Sequence, residues 1–480
     1  MIIRFNIKET ILLILICLSL NSFSQSTFNI NIGTEEDESY PIIEIYNDSY
    51  LILYNIAQYY GELEGHKARI DNITNEGEAN NIHSFANDTI DFVFGNIIKH
   101  EHSYYCHGLQ KHIDSTFYRN WIFKMDEDLS IVWQKTYESP FDGILYETEM
   151  TIIHENIIIS RSSYINNNAG NQFLKFNLDG DLIHEKTYNT YKWEIIYDIL
   201  KEQNPSSYNF NVFGMGFNLP GDVRLTLDSN FNIINEVNSP VTNEQDAEWI
   251  NDSLFILCGS VILTDTIFIT TKIMDTNSIV YQESIFTHQT SKNQHVGVFN
   301  GQSYIDENKF YLGGFTHANI AIAPTSNYLM LNKLNTSLTP EWQKFYGGDA
   351  RYVLFSIKTT PDGGCIMAGS RYDWNTQYNE RDIFVMKVDE NGLITSINNE
   401  DFQVADAIVY PNPGTNRLQI QSAFPLKEIR MMDVNGRMVL QQPLNNLMDE
   451  INVSLLNAGT YIYQIIGRDG KVQHGKWVKM

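Results

Sequence analysis

A loose pattern recurs about every 53 residues along most of this chain, and a period of that length restricts the fold more than any other feature. Three segments align without gaps: FKMDEDLSIVWQKTYES at 123–139, LKFNLDGDLIHEKTYNT at 174–190 and NKLNTSLTPEWQKFYGG at 332–348. Each is an apolar run, a turn rich in Asp and Asn, and a second run ending near Lys-x-Tyr. Weaker copies at 67–76, 223–239, 272–284 and 386–396 bring the anchors of the turns to Asp71, Asp126, Asn177, Asp228, Asp275, Asn335 and Asp389. The anchor spacings are 55, 51, 51, 47, 60 and 54. A second strand pair precedes each anchor, most clearly around Pro361-Asp362-Gly363-Gly364, a strong hairpin signal. Four strands per unit and seven units predict an all-β chain built as a seven-bladed β-propeller. A β-helix needs a much shorter period, and a helical solenoid needs a 3.6-residue periodicity that the sequence lacks.

Two details refine that expectation. The run TFNINIG at 27–33 aligns with EWQKFYG at 341–347, the outer strand of a unit, whereas the last unit has a poor outer strand of its own. Residues 27–33 are therefore expected to close the last blade and remove two exposed sheet edges. Short apolar runs ending at Gly95, Gly214, Gly259, Gly313 and Gly369 are expected to be second strands, with glycine permitting close backbone approach. The tight turns then fall on one rim. Longer connections near 58–67, 98–119, 162–171, 260–265, 315–327 and 370–382 fall on the other, where function on such folds resides.

The chain is 480 residues long, 43% hydrophobic and 12% aromatic, enough to build a large core. Its 33 Lys and Arg against 58 Asp and Glu give a net charge of −25, which argues against nucleic acid or an anionic membrane as partner. At the N-terminus, Arg4 and Lys8 precede the apolar run ILLILICLSL and the small-x-small site ending at Ser24. That is the pattern of a secretory signal over 1–24, cleaved between Ser24 and Gln25. The apolar run is too short to span a bilayer, and no other stretch is long enough, so no transmembrane segment is expected. Cys17 follows Ile16 rather than the small residue that lipid attachment requires. Cys106, Cys258 and Cys365 are odd in number and scattered, so no disulfide framework is expected.

Candidate chemistry is sparse. His100, His102, Cys106, His107 and His112 fall within thirteen residues and include donor types that could hold a divalent metal. Their spacing fits no established zinc pattern, and a solvated His-rich loop is the simpler reading; no other cofactor is indicated. Arg351, Arg371 and Arg381 lie in the last unit. Tyr104, Tyr105, Tyr372, Trp374 and Tyr378 are aromatics expected on the ligand-facing loops, suited to carbohydrate or protein. There is no nucleophile elbow, zincin motif, phosphate loop or dinucleotide fingerprint. A glycan- or protein-binding module is the preferred expectation. The alternatives are a polysaccharide-acting propeller hydrolase or lyase, which an arginine cluster facing a carboxylate pair would favour, and a purely structural surface protein.

From about Val404 the period breaks. The stretch AIVYPNPGTNRLQI starts a new series of short strands, with hairpins at Asn435-Gly436 and Asp469-Gly470, enough for a small β-sandwich. Four elements appear in order: Tyr410-Pro411-Asn412-Pro413, Asp433-Val434-Asn435-Gly436-Arg437, Gly459-Thr460-Tyr461, and the basic ending Lys476-Trp477-Val478-Lys479. In these residues 403–480 resemble the C-terminal sorting domain of the type IX secretion system of Bacteroidetes. The resemblance implies an immunoglobulin-like sandwich that acts as an address, with 25–402 as its propeller cargo. It also implies passage through the Sec translocon and recognition by the outer-membrane type IX translocon. A sortase-like peptidase would then remove the tail, and the product would be released or anchored at the cell surface.

Overall fold

In a computed structural model, the structure describes residues 26–480 apart from 58–64, 116, 139–144, 166–167, 189–192, 202–207, 217–221, 240–242, 252, 264–265, 276–278, 287–292, 299, 307, 318–324, 378–379, 395–406, 411–413, 423–425, 434–436, 445–447 and 469–471. The expected signal segment and its cleavage site at Ser24 and Gln25 lie outside the described residues. The chain divides into two compact units, Met1–Ser396 and Ile397–Met480. No described helix is long and apolar enough to cross a membrane.

All described regular structure is β. The described residues of the first unit form seven antiparallel sheets in chain order. The first comprises Asp37–Tyr46, Ser49–Ala57, Lys67–Ile73 and Ala79–Phe85. The second comprises Ile90–His100, Ser103–His112, Arg119–Met125 and Ile131–Tyr137. The third begins at Leu145, the fourth at Trp193, the fifth at Asn243 and the sixth at Gln294. The seventh takes Arg351–Thr359, Cys365–Tyr372 and Asp382–Val388, and its fourth strand is Phe28–Ile32 from the other end of the unit. Innermost strands pack on their neighbours, and the seventh sheet packs back on the first through the Lys358–Glu44 ion pair (2.6 Å). Arg381 adds a buried bidentate pair with Asp37 at 2.8 and 2.7 Å.

The repeated turn is one physical device used many times. An Asp, Asn or Thr at its first position accepts the backbone N–H groups two and four residues on, as Asp126, Asn177, Asp228, Asn335 and Asp389 do. The fourth residue takes positive φ: Leu129, Gly180, Phe231, Leu338 and Gly392. In the first sheet this role belongs to Thr74, three residues after the expected anchor Asp71. Asp71 instead lies in a strand, fully buried, accepting from Tyr54 and Arg69.

In the second, third and sixth sheets the Lys-x-Tyr signal fastens the outer strand to the next sheet. Tyr137 donates to the Gly180 carbonyl (2.6 Å), Tyr188 to that of Phe231, and Tyr346 to that of Gly392 (3.0 Å). Lys135 pairs with Asp181 and Lys186 reaches Asn232. Where the receiving turn carries glycine, a large ring covers it: Trp133 over Gly180 and Trp342 over Gly392. Where it carries Phe231, the covering residue is His184, stacked at 22°.

The second unit has a three-stranded sheet, Ala407–Tyr410, Arg417–Ser422 and Met448–Asn452. Its four-stranded sheet is formed by Leu426–Asp433, Met438–Pro443, Gly459–Gly467 and Val472–Lys479. Leu418, Ile420 and Ile451 from the first share one core with Ile429, Met431, Ile465 and Trp477 from the second.

The register of the second sheet corrects the sequence reading. Gly95 is not the end of a second strand; it is the bulged residue of the first strand, between Phe94 and Asn96. The counterpart of Gly214, Gly259 and Gly369 is Gly108, opposite Phe94, and all four stand across from a bulge. A Cβ on Gly108 would meet the Val93 carbonyl at 2.4 Å, as one on Gly369 would meet that of Val353 at 2.1 Å. Residues 103–112 are accordingly a strand, not part of a long loop.

Candidate ligand-binding cleft

Between the first and second sheets, strand alternation sends Phe94, Trp121 and Phe123 to one side. Trp121 stacks on Phe94 (5.6 Å, 19°) and Phe123 (4.7 Å, 28°). It receives Phe85 and Phe92 edge-on at 4.7 and 5.2 Å. Towards the outer strands this cluster opens into a cleft of 470 Å³, within the range of about 300–1,000 Å³ usual for small-molecule sites. Phe85, Ile90, Phe92 and Trp121 line it together with Asn87, Gln110, Gln134, Lys135 and Thr136.

Its polar groups differ in how far they are already committed. Lys135 is held by Asp181 at 2.5 Å, and Asn87 accepts from Thr89. Among the described residues, no hydrogen bond engages the side-chain amides of Gln110 and Gln134. The Trp121 indole N–H is buried with no protein acceptor. A buried donor without a partner is costly. The accessible lining is the half-buried rings of Phe85 and Phe92 with two amides that no described residue engages, which together can hold a neutral, hydroxyl-rich ring.

In the second unit, Asp433 closes its hairpin by accepting the Arg437 backbone N–H (3.0 Å) and side chain (3.2 Å). Tyr461 donates to the Asn457 carbonyl at 2.8 Å. Trp477 is fully buried, and Lys479 is also internal, bonded to the Val453 carbonyl at 2.7 Å, which leaves Lys476 as the exposed base of that ending. Tyr410 pairs with Gln419, and Gly459 opens a strand opposite Lys479. Pro411, Asn412, Pro413 and Gly436 lie outside the described residues. Residues 408–479 match the family model of the secretion system C-terminal sorting domain. The chain is a cargo protein of the type IX secretion system. Its destination is the cell surface or the medium. No curated protein matches the cargo protein's sequence.

Solved structures similar to this cargo protein are distant. A fungal alcohol oxidase of the AA5 family, in complex with copper, is 8% identical over 94% of this chain and 98% of its own, with a TM-score of 0.48. The polysaccharide lyase Uly1 is 8% identical over 76% and 99%, with a TM-score of 0.42. The β-propeller domain of the Trilobed protease from Pyrococcus furiosus is 10% identical over 65% and 98%, with a TM-score of 0.31. No activity transfers from likenesses this distant.

The structure separates the histidines that the sequence groups. His100 and His102 flank a tight turn, while His112 ends the following strand, nine residues from Ser103 and so roughly 30 Å away along it. Cys106 and His107 are adjacent in that strand, point into different seams and are fully buried. His102 pairs with Glu127 and His100 with Glu155. Among the described residues no three His, Cys, Asp or Glu side chains are grouped to hold a metal.

Tyr104 and Tyr105 are also not ligand-facing: both are core, 2% and 1% exposed. Tyr372 and Trp374 are half-buried, and Tyr378 lies outside the described residues. The three arginines are internal fasteners. Arg371 binds Asp349 (3.1 Å) and Asp373 (3.4 Å), Arg381 binds Asp37, and Arg351 reaches the His317 carbonyl. Beside them Glu38 is pushed up to about 7 and Asp382 to about 6, in both cases mainly by burial. Glu38 is 1% exposed and accepts from Thr34, so substrate does not reach it. The cleft itself went unseen in sequence. Its only trace there is the aromatic density of 85–94 and 121–123, which reads equally well as core.

Proposed function

We propose that the seven sheets form a seven-bladed β-propeller closed by its N-terminal strand, and that this propeller binds a neutral glycan in the cleft between the first and second sheets. The ring reading is supported by the chain-ordered packing of the sheets and by the pairing of Phe28–Ile32 with Asp382–Val388. The tail would be an immunoglobulin-like sandwich, delivered by the Sec and outer-membrane translocons and cut off by the sortase-like peptidase. The observation that carries the glycan reading is a cleft of 470 Å³ in which the half-buried rings of Phe85 and Phe92 stand beside the Gln110 and Gln134 amides, which no described residue engages. Aromatic faces take the apolar side of a sugar ring, and amides take its hydroxyls. With a net charge of −25 and the one lining lysine already paired, an uncharged saccharide fits better than an acidic one.

The test is thermal unfolding of the mature full chain against a panel of neutral and uronate-containing polysaccharides. A ligand confined to the folded state raises the midpoint by mass action. A shift with neutral sugars that is lost in Gln110→Ala/Gln134→Ala is expected. A shift only with uronates, or one that the double variant retains, rejects the reading.

A further inference from the structure

On the opposite side of the second sheet, its seam with the third holds a charge that no group among the described residues answers. Arg161 lies in Asn156–Ile165 on the side of Ile157 and Ile159, which pack with Tyr105 and Ile122 of the second sheet. It is 0% exposed, and among the described residues its Nε, Nη1 and Nη2 have no acceptor within hydrogen-bonding distance. Directly across the strand pair stands Gln172, fully buried, with both amide atoms unpaired. The second sheet contributes His107 and Asn120, joined Nε2 to Oδ1 at 3.3 Å, with Asn120 Nδ2 and His107 Nδ1 left over.

The electrostatics single out the guanidinium. Burial lowers Arg161 only to about 9, so it stays charged at neutral pH, and no carboxylate opposes that shift. His107 is pushed down to about 3, first by burial and further by Arg161, so it is neutral. Glu149 on the same sheet accepts from Asn96 at 3.1 Å. A lone buried cation is among the most costly groups a protein can hold.

We propose that this buried polar cluster binds one small monovalent anion, of chloride size, with Arg161 as its counter-charge and Gln172 Nε2 and Asn120 Nδ2 as neutral donors. Full burial of Arg161, Gln172, His107 and Asn120 excludes bulky or polymeric ligands, and a single positive charge favours a monoanion over a dianion. Turning the Asn120 amide over would let His107 Nδ1–H face inward in its place, so the site keeps one donor from that pair either way. The proposal is independent of the glycan cleft.

The mature full chain, dialysed into gluconate and titrated with bromide at constant ionic strength, provides the test. The unfolding midpoint should rise by about 3 °C towards 100 mM bromide. Anomalous diffraction from bromide-containing crystals should show one peak beside the Arg161 guanidinium. Arg161→Met should lose both the peak and the halide response. If that variant does not fold, Gln172→Leu should weaken the response several-fold. Equal halide response in wild type and Arg161→Met, no response at all, or density showing only water or the Glu149 carboxylate against Arg161, each overturns the proposal.

Discussion

Facing the first sheet, the second presents Phe94, Cys106, Trp121 and Phe123; facing the third, it presents Tyr105, His107, Asn120 and Ile122. The neighbours Cys106 and His107, or Asn120 and Trp121, thus belong to different seams because successive side chains of a strand alternate. The first seam is held by aromatic packing and tolerates an opening at its edge. The second carries the fully buried Arg161, Gln172, His107 and Asn120 instead. One sheet thereby separates an accessible, uncharged cleft from a buried, charged cluster, and each seam is expected to respond to a different perturbation.

Trp121→Ala should break the aromatic seam, at a cost of about 3–5 kcal/mol in chemical denaturation. The same variant tests whether that seam, rather than its polar counterpart, carries stability. Titration should sharpen the contrast, since the aromatic seam has little to titrate. His107 is neutral when folded, so its contribution is full above its ordinary 6.5 and lost as pH falls towards 3. Glu38, between the first and seventh sheets, has the opposite sign. Its folded value near 7 lies above the ordinary 4.5, so its stabilisation is full below 4.5 and lost as pH rises through 7. Glu38→Gln should flatten the fall in midpoint between pH 5 and 7.5, an effect of up to about 3 kcal/mol.

Arg161→Met should go against intuition for a buried charge. In halide-free buffer it should leave stability unchanged or raise it by about 1–4 kcal/mol. A large loss there would mean that Arg161 has a protein partner. Glycine rims provide a smaller comparison. Gly180 and Gly363 both have positive φ, but only a Cβ on Gly180 meets a ring, that of Trp133 at 2.6 Å. Gly180→Ala should therefore cost about 1 kcal/mol more than Gly363→Ala, measured by midpoint shift.

What the sequence made legible follows from local chemistry. Asp or Asn at the head of a turn, positive φ three residues on, and Lys-x-Tyr in the following strand are set within a few residues of one another, so they survive as a visible repeat. The tail motifs are similarly compact, and Asp433 with Arg437 is a closed local unit. The second sheet misled because GNII at 95–98 imitates the glycine that ends a second strand, when the bulge opposite Gly108 is what demands glycine. That shift turned a buried strand into a His-rich loop and brought Tyr104 and Tyr105 to a surface they do not reach. The cleft draws on residues from 84 to 136 and the Arg161 cluster on residues from 107 to 172. Their members meet only through the pairing of whole sheets, which no short-range pattern encodes.

The glycan reading places the ligand against the rings that pack on Trp121, so the buried indole N–H of Trp121 reports on the cleft from beneath it. The chain has seven tryptophans, so an ¹H–¹⁵N spectrum has a small indole region, and Trp121→Phe assigns the relevant cross-peak. On titration with the neutral saccharide that shifts the unfolding midpoint, the Trp121 cross-peak should move as Phe85 and Phe92 are covered, and saturate with the same Kd as the thermal shift. A peak that stays in place while the ligand binds would put the binding site elsewhere and contradict the account.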